Sequence, residues 1–153
     1  MPAGICVYIA GFKPDSVDRF VVFFRQPAWI RSAVVVGLAF AILVASVVDP
    51  GEGGTSTVFG IGVTVYTHVL AYGALSVAIG YARLSADRRT LVIAVVVATA
   101  YGALIELLQG MIPYRTMSAL DAVLNAMGAT VGAVVWRVVF RRFGGDIPEP
   151  TSL

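Results

Sequence analysis

Charge is what this chain has least of. Of its 153 residues, 11 are Lys or Arg and 9 are Asp or Glu, 13% in all, against 58% hydrophobic. Mean hydropathy is +0.86. A soluble domain is about one quarter charged. A single small globule cannot hide this much apolar side chain behind so little polar surface, which excludes a soluble helical domain. Cysteine is nearly absent. Cys6 stands alone, so an intrachain disulfide is excluded, no metal-site cysteine pattern exists, and Cys6 reads as an incidental thiol. Long-period repeats and low-complexity tracts are missing too. A net charge of +2 points to no nucleic-acid partner. The apolar runs are continuous rather than alternating, which excludes a membrane β-barrel.

What is present is four long apolar segments, each near the ~20 residues that cross a hydrocarbon layer as a helix. They run from about Ile30 to Val48, Gly60 to Ala82, Thr90 to Leu108 and Ala119 to Val139. The expected fold is all-α: a polytopic membrane protein of four transmembrane helices joined by short loops. Cationic residues are retained on the cytoplasmic side. Lys13, Arg19, Arg25 and Arg31 precede the first segment, Arg83, Arg88 and Arg89 separate the second from the third, and Arg137, Arg141 and Arg142 end the fourth. Only Arg115 falls on the other side. Both termini are therefore expected in the cytoplasm, with the protein multipass in the cell membrane.

The first residues, "MPAGICVYIAGFKPD", lack a basic start and are stopped by Lys13-Pro14, so no cleavable signal peptide is expected. "DRFVVFFRQPAW" fits either a short interfacial helix, with Phe20, Phe23 and Phe24 in the membrane surface, or poorly ordered chain. The expected organisation is an arm over residues 1–27, a four-helix domain over 28–142 and a disordered tail over 143–153.

The polar residues are not scattered. Glu106 and Gln109 share a helix face, with Gly102 one turn before Glu106. Pro113 breaks the third helix, and Ser118 and Asp121 are spaced as an N-cap and its N3 partner. Asp121, Asn125, Gly128 and Gly132 form one stripe, polar at its start and glycine further in, where G-x-x-x-G permits close approach of another helix. In the second segment, His68, Tyr72 and Ser76 follow at intervals of four. At ~1.5 Å per residue, His68, Glu106, Asp121 and Asn125 all lie in the outer half of the bilayer. Each has a structural explanation as well: a cap for Asp121, an interhelical bond for Asn125, a headgroup anchor for Arg115, an interior histidine for His68, a turn for Pro113. Glu106 fits a structural role least, because an ionisable group in a membrane helix is costly and marks function by default. Pairing with Arg115 is its structural alternative.

The order E-x-x-Q-x-x-x-P-x-R, then D-x-x-x-N-x-x-G-x-x-x-G, resembles the VanZ-like family of small multipass membrane proteins. It is carried here by Glu106, Gln109, Pro113, Arg115, Asp121, Asn125, Gly128 and Gly132. "THVLAYGAL" is similar to that family's second-helix motif, except that Thr67 stands where a charged residue precedes the histidine. The likeness covers about Ile30 to Arg142. It implies a membrane domain of four or five helices, in a family whose founding member is associated with resistance to the glycopeptide teicoplanin.

Three functions are compatible with these residues. In the first, the protein binds or acts on a membrane lipid or lipid-linked glycan at the outer leaflet. Arg115 clamps a phosphate or carboxylate, Glu106 is general acid or base, and His68 shuttles the proton. Asp121 tunes its neighbours, and Gln109, Asn125 and Tyr72 orient the headgroup. Gly102, Gly128, Gly132 and Pro113 shape the helix packing. No nucleophile stands out, since Ser76 and Ser118 lack a triad. His68, Glu106 and Asp121 are metal-ligand types, but their spacing is undiagnostic, so neither metal nor cofactor is expected. In the second, the cluster is a structural network in a scaffold or envelope-interaction protein. In the third, it belongs to a small proton-coupled transporter.

Overall fold

The computed structural model describes residues 24, 26–48, 57–115 and 117–143. Four helices account for most of them: α1 (Ala28–Val47), α2 (Val63–Arg83), α3 (Arg88–Gln109) and α4 (Ala119–Phe143). They contain 20, 21, 22 and 25 residues, enough to cross ~30 Å of hydrocarbon. All four are apolar enough to do so. α1 is rich in β-branched valine, which disfavours helix in water. In lipid, only a helix satisfies the backbone of such a segment from within. The protein is an all-α polytopic membrane protein.

Local signals set the ends. The carbonyl of Pro27 accepts from the amides of Ile30 and Arg31 to open α1. Leu84 closes α2 in the left-handed conformation (φ 46°). Asp87 caps α3, its carboxylate accepting from the Thr90 amide at 2.7 Å. The second helix begins at Val63, not near Gly60. Residues 57–62 instead form an antiparallel hairpin of β1 (Thr57–Val58) and β2 (Ile61–Gly62), paired Thr57 to Gly62 and Val58 to Ile61. Its turn places Phe59 (φ 52°) and Gly60 (φ 78°) at positive φ, the geometry of a tight two-residue hairpin loop. Tyr66 donates to the Val58 carbonyl and ties the hairpin to α2.

The expected arm lies outside the described residues apart from Phe24, Gln26 and Pro27, and so does the tail beyond Phe143. Phe24 is not at a surface. It is buried against Trp136 and Phe140, with ring centroids 6.0 and 6.2 Å away.

α2 is the centre of the bundle. It packs most extensively against α4 and also touches α1 and α3. α2 and α4 run parallel, and small residues let their backbones meet. A Cβ on Gly132 would run into the Gly73 carbonyl, one on Gly128 into the Val69 backbone, and one on Gly80 into the Trp136 indole. Tyr72, Leu75, Ile79, Ala94, Ala98, Ile105 and Ala129 fill the interior with α1's Ile42. Large apolar side chains such as Phe40, Leu70, Val96, Leu104, Val131 and Val138 point outward. Surface of this kind needs hydrocarbon around it.

The α2–α4 contact yields a contrast. Gly132→Ala inserts a methyl group against backbone that cannot yield, and is expected to destabilise by about 1–3 kcal/mol or more. Gly37→Ala, with nothing within 4 Å of its Cβ, should be neutral or slightly stabilising. Thermal unfolding in detergent distinguishes them. The α3 cap gives a pH dependence. Hydrogen bonding to Thr90, through its side chain and then its backbone, holds the Asp87 carboxyl below the usual carboxylate range. The cap therefore contributes stability above the ordinary aspartate pKa of ~3.9 and loses it as the pH falls through the lower, folded value. In Asp87→Ala, melting temperature followed against pH should lack that acid-side loss.

Candidate functional site

One end of the bundle collects the start of α2, the end of α3 and the start of α4. Glu106 sits one turn before the end of α3 and is only 3% exposed. The chain then turns through Gly110 to Arg115, with exposed Pro113 in the turn. Ser118 caps α4: its hydroxyl accepts from the Asp121 amide at 3.2 Å, and its carbonyl accepts from the Ala122 amide. In an ordinary capping box the N3 side chain would reach back to the cap's own amide. Here Glu106 takes that place, Oε2 accepting from the Ser118 amide at 3.1 Å. Its other oxygen, Oε1, is buried with no hydrogen-bond partner.

Asp121 is thus released from its capping role and faces α2. Its Oδ2 lies 3.9 Å from His68 Nε2. The other ring nitrogen, Nδ1, is 2.8 Å from Asn125 Oδ1. An amide oxygen only accepts, so Nδ1 carries a hydrogen and donates, and Nε2 is the nitrogen turned toward the carboxylates. Asn125 is fully buried, and its Nδ2 has no partner. It fits only because α3 has glycine opposite: a Cβ on Gly102 would press on Asn125 and the Tyr72 ring. Tyr72 is buried and stacks on His68 at 6.2 Å with 17° between planes, forming the floor of the site. The His68 and Asp121 side chains are 17% and 22% exposed, so the site is reached past them. One ligand-type atom from each of His68, Glu106 and Asp121 lies within 4.8 Å of the others.

Gln109 and Arg115 turn elsewhere. Gln109 is buried and donates to the Ser46 carbonyl at 3.0 Å. Arg115 donates through Nη2 to the Val48 carbonyl, and Tyr114 to that of Val47 at 2.8 Å. These groups satisfy carbonyls at the C-terminal end of α1, the end that has no intrahelical donors. Arg115 thus ties the turn to α1 while Glu106 ties it to α4, and among the described residues no ion pair joins the two. Arg115 also overhangs a cavity of about 540 Å³ along α1, walled by Phe40, Ala41, Val44, Ala45 and Val48.

Four of the residues named from sequence, His68, Glu106, Asp121 and Asn125, meet in one place over Tyr72, and Gly102, Gly128 and Gly132 line the helix contacts that allow it. The sequence reading missed the exchange by which Glu106 replaces Asp121 at the Ser118 amide. It also missed Gly73 and Gly80, the glycines on α2 that receive α4. Their separation of seven residues, two helical turns, is the signal that locates them. Chemically, the cluster offers one imidazole nitrogen and two carboxylates, one of which has a buried oxygen with no partner.

No curated protein and no solved structure matches the chain. The sequence model of VanZ/LLP1 matches residues 24–141, which include all four helices up to Arg141 and every residue of the cluster. The chain belongs to the VanZ/LLP1 family.

Proposed function

We propose that this protein binds an envelope lipid or lipid-linked glycan by its anionic headgroup at the outer leaflet, and acts on that headgroup through His68, Glu106 and Asp121. The observation that carries the reading is Arg115 at the head of the apolar cavity on α1. Phe40, Ala41, Val44, Ala45 and Val48 are all exposed on a face that lies against hydrocarbon, so an acyl chain is the natural occupant. A guanidinium offers five donors. One is used on the Val48 carbonyl, and Nε has no partner. The remaining donors suit a phosphate at the depth where a headgroup sits. The distribution of cations supports the outer side: among the described residues, Arg31, Arg83, Arg88, Arg89, Arg137, Arg141 and Arg142 lie toward the opposite end, and Arg115 alone is at this one.

Reaction at the headgroup falls to the cluster at the same end of the bundle. Glu106 is held by the Ser118 amide in a fixed rotamer, with one oxygen free to accept a proton from a reacting group. His68 and Asp121 stand between it and the membrane surface. A scaffold reading also has an observation in its favour: the Glu106–Ser118, Gln109–Ser46 and Arg115–Val48 bonds all close gaps between helices.

Two substitutions separate these readings. Arg115→Gln should lower the retention of an anionic phospholipid such as phosphatidylglycerol roughly ten-fold in native mass spectrometry, the effect of a charged hydrogen bond worth about 1.5–3 kcal/mol. Arg115→Lys should keep part of it. Equal retention by wild type and Arg115→Gln would remove the basis for a headgroup clamp. Glu106→Gln preserves an acceptor for the Ser118 amide, so the protein should insert and melt close to wild type while its envelope phenotype disappears. A variant that melts early but keeps the phenotype speaks for the scaffold.

A further inference from the structure

We infer that His68, Glu106 and Asp121 form a binding site for a divalent first-row cation of the zinc type. The three residues come from α2, α3 and α4, yet one ligand-type atom of each lies within 4.8 Å of the other two. Ligands at ~2.0–2.2 Å in a tetrahedron stand roughly 3.3 Å apart. The 3.9 Å between His68 Nε2 and Asp121 Oδ2 is too long for a hydrogen bond and close to that spacing. Side-chain movements on the order of 1 Å would bring the set together around an ion.

Two observations independent of the clustering point to a ligand. The first is Glu106 Oε1. It belongs to a side chain 97% buried by its 3% exposure, it has no hydrogen-bond partner, and its twin oxygen is already used on the Ser118 amide. Buried acceptors are normally filled, and a cation fills this one while neutralising the second carboxylate beside it, which makes Glu106 a ligand and not the proton acceptor whenever the ion is bound. The second is the arrangement behind the histidine. A metal-bound imidazole donates its far N–H to a fixed acceptor, which sets the tautomer and aims the ligating nitrogen. Asn125 Oδ1, 2.8 Å from Nδ1 and itself fully buried, does this to His68. One imidazole and two carboxylates suit zinc or manganese rather than soft ions such as copper(I). Three protein ligands leave a fourth position open, as in catalytic rather than structural sites. The exposed edges of His68 and Asp121 place that opening on the accessible side.

The inference does not rest on the headgroup reading. The test uses the full chain in detergent, stripped with chelator and free of added lipid, titrated with Zn²⁺ and with Co²⁺ as its spectroscopic surrogate. The expected result is one Zn²⁺ per chain, a raised melting temperature, and tetrahedral Co²⁺ bands in the visible. His68→Ala and Glu106→Gln should lose stoichiometric binding. Asn125→Ala, which removes the acceptor behind the imidazole but no ligand, should weaken it about 10–100-fold. His68→Cys should restore Co²⁺ binding with a sulfur-to-metal charge-transfer band absent from the wild type, whose one thiol is Cys6. Absence of both Co²⁺ bands and Zn²⁺ stabilisation in the wild type overturns the proposal even if no variant folds. So does equal Zn²⁺ binding by wild type and His68→Ala. Metal binding by a chain that retains no anionic lipid upholds this site and counts against the headgroup clamp.

Discussion

Gly132 of α4 rests on the carbonyl of Gly73, and Gly128 rests on the backbone around Val69, at distances no side chain would allow. In a bilayer, helices gain nothing from hiding apolar surface from each other, because lipid is equally apolar. Association depends on close packing and on polar contacts. The glycine contact supplies the first and makes the second possible. α2 and α4 run parallel, so fixing Gly73 against Gly132 also fixes His68 and Asn125, each one to two turns nearer the same end. The 2.8 Å bond between them follows from that register. α3 then closes over the pair, and Gly102 is where it makes room for the Asn125 amide. The site is built from backbone contacts outward.

A second constraint is that polar groups within the membrane must be satisfied by the protein itself. The chain meets it by dividing its polar residues between two tasks. Gln109, Tyr114 and Arg115 serve the carbonyls at the end of α1, a helix with Ile42 as its one buried residue. Tyr101 adds a bond to the Ala39 carbonyl at 2.6 Å. His68, Asn125 and Asp121 serve each other. Glu106 belongs to both groups, with one oxygen in the cap of α4 and one facing the cluster. A purely structural carboxylate would be expected to use both oxygens, and Glu106 uses one.

Different parts of this were legible in the sequence for different reasons. The four helices were, because hydrocarbon thickness imposes a length that a run of apolar residues records directly. Family membership was, because eight residues in fixed order are more specific than any one of them. The hairpin at 57–62 was not: strands of two residues are too short to show alternation, and Phe59 at positive φ breaks the usual preference for glycine or asparagine there. The period of four in His68–Tyr72–Ser76 and in Asp121–Asn125 marked faces correctly as single stripes. It could not say which stripe met which, because contact between α2 and α4 skips the helix between them. The roles of Gln109 and Arg115 at α1 were invisible for a similar reason. A helix C-terminus advertises no acceptor in its side chains, so nothing in "LVASV" asks for a donor some 60 residues away.

The position of Arg115 shows how these constraints meet. A lone cation at the end of a helix bundle is favourable beside the negative end of a helix dipole, and α1 provides one at Val47 and Val48. That contact fixes the guanidinium in place without neutralising it, because carbonyls carry only partial charge. No carboxylate pairs with it among the described residues: the Glu106 carboxylate accepts from the Ser118 amide, and that of Asp121 faces His68. The result is a guanidinium anchored by a carbonyl and set beside the apolar wall of α1. A few residues along the chain stands a cluster of acceptors with an unfilled place. The Arg115 guanidinium and the His68–Glu106–Asp121 cluster stand at the same end of the bundle, one against α1 and the other between α2, α3 and α4.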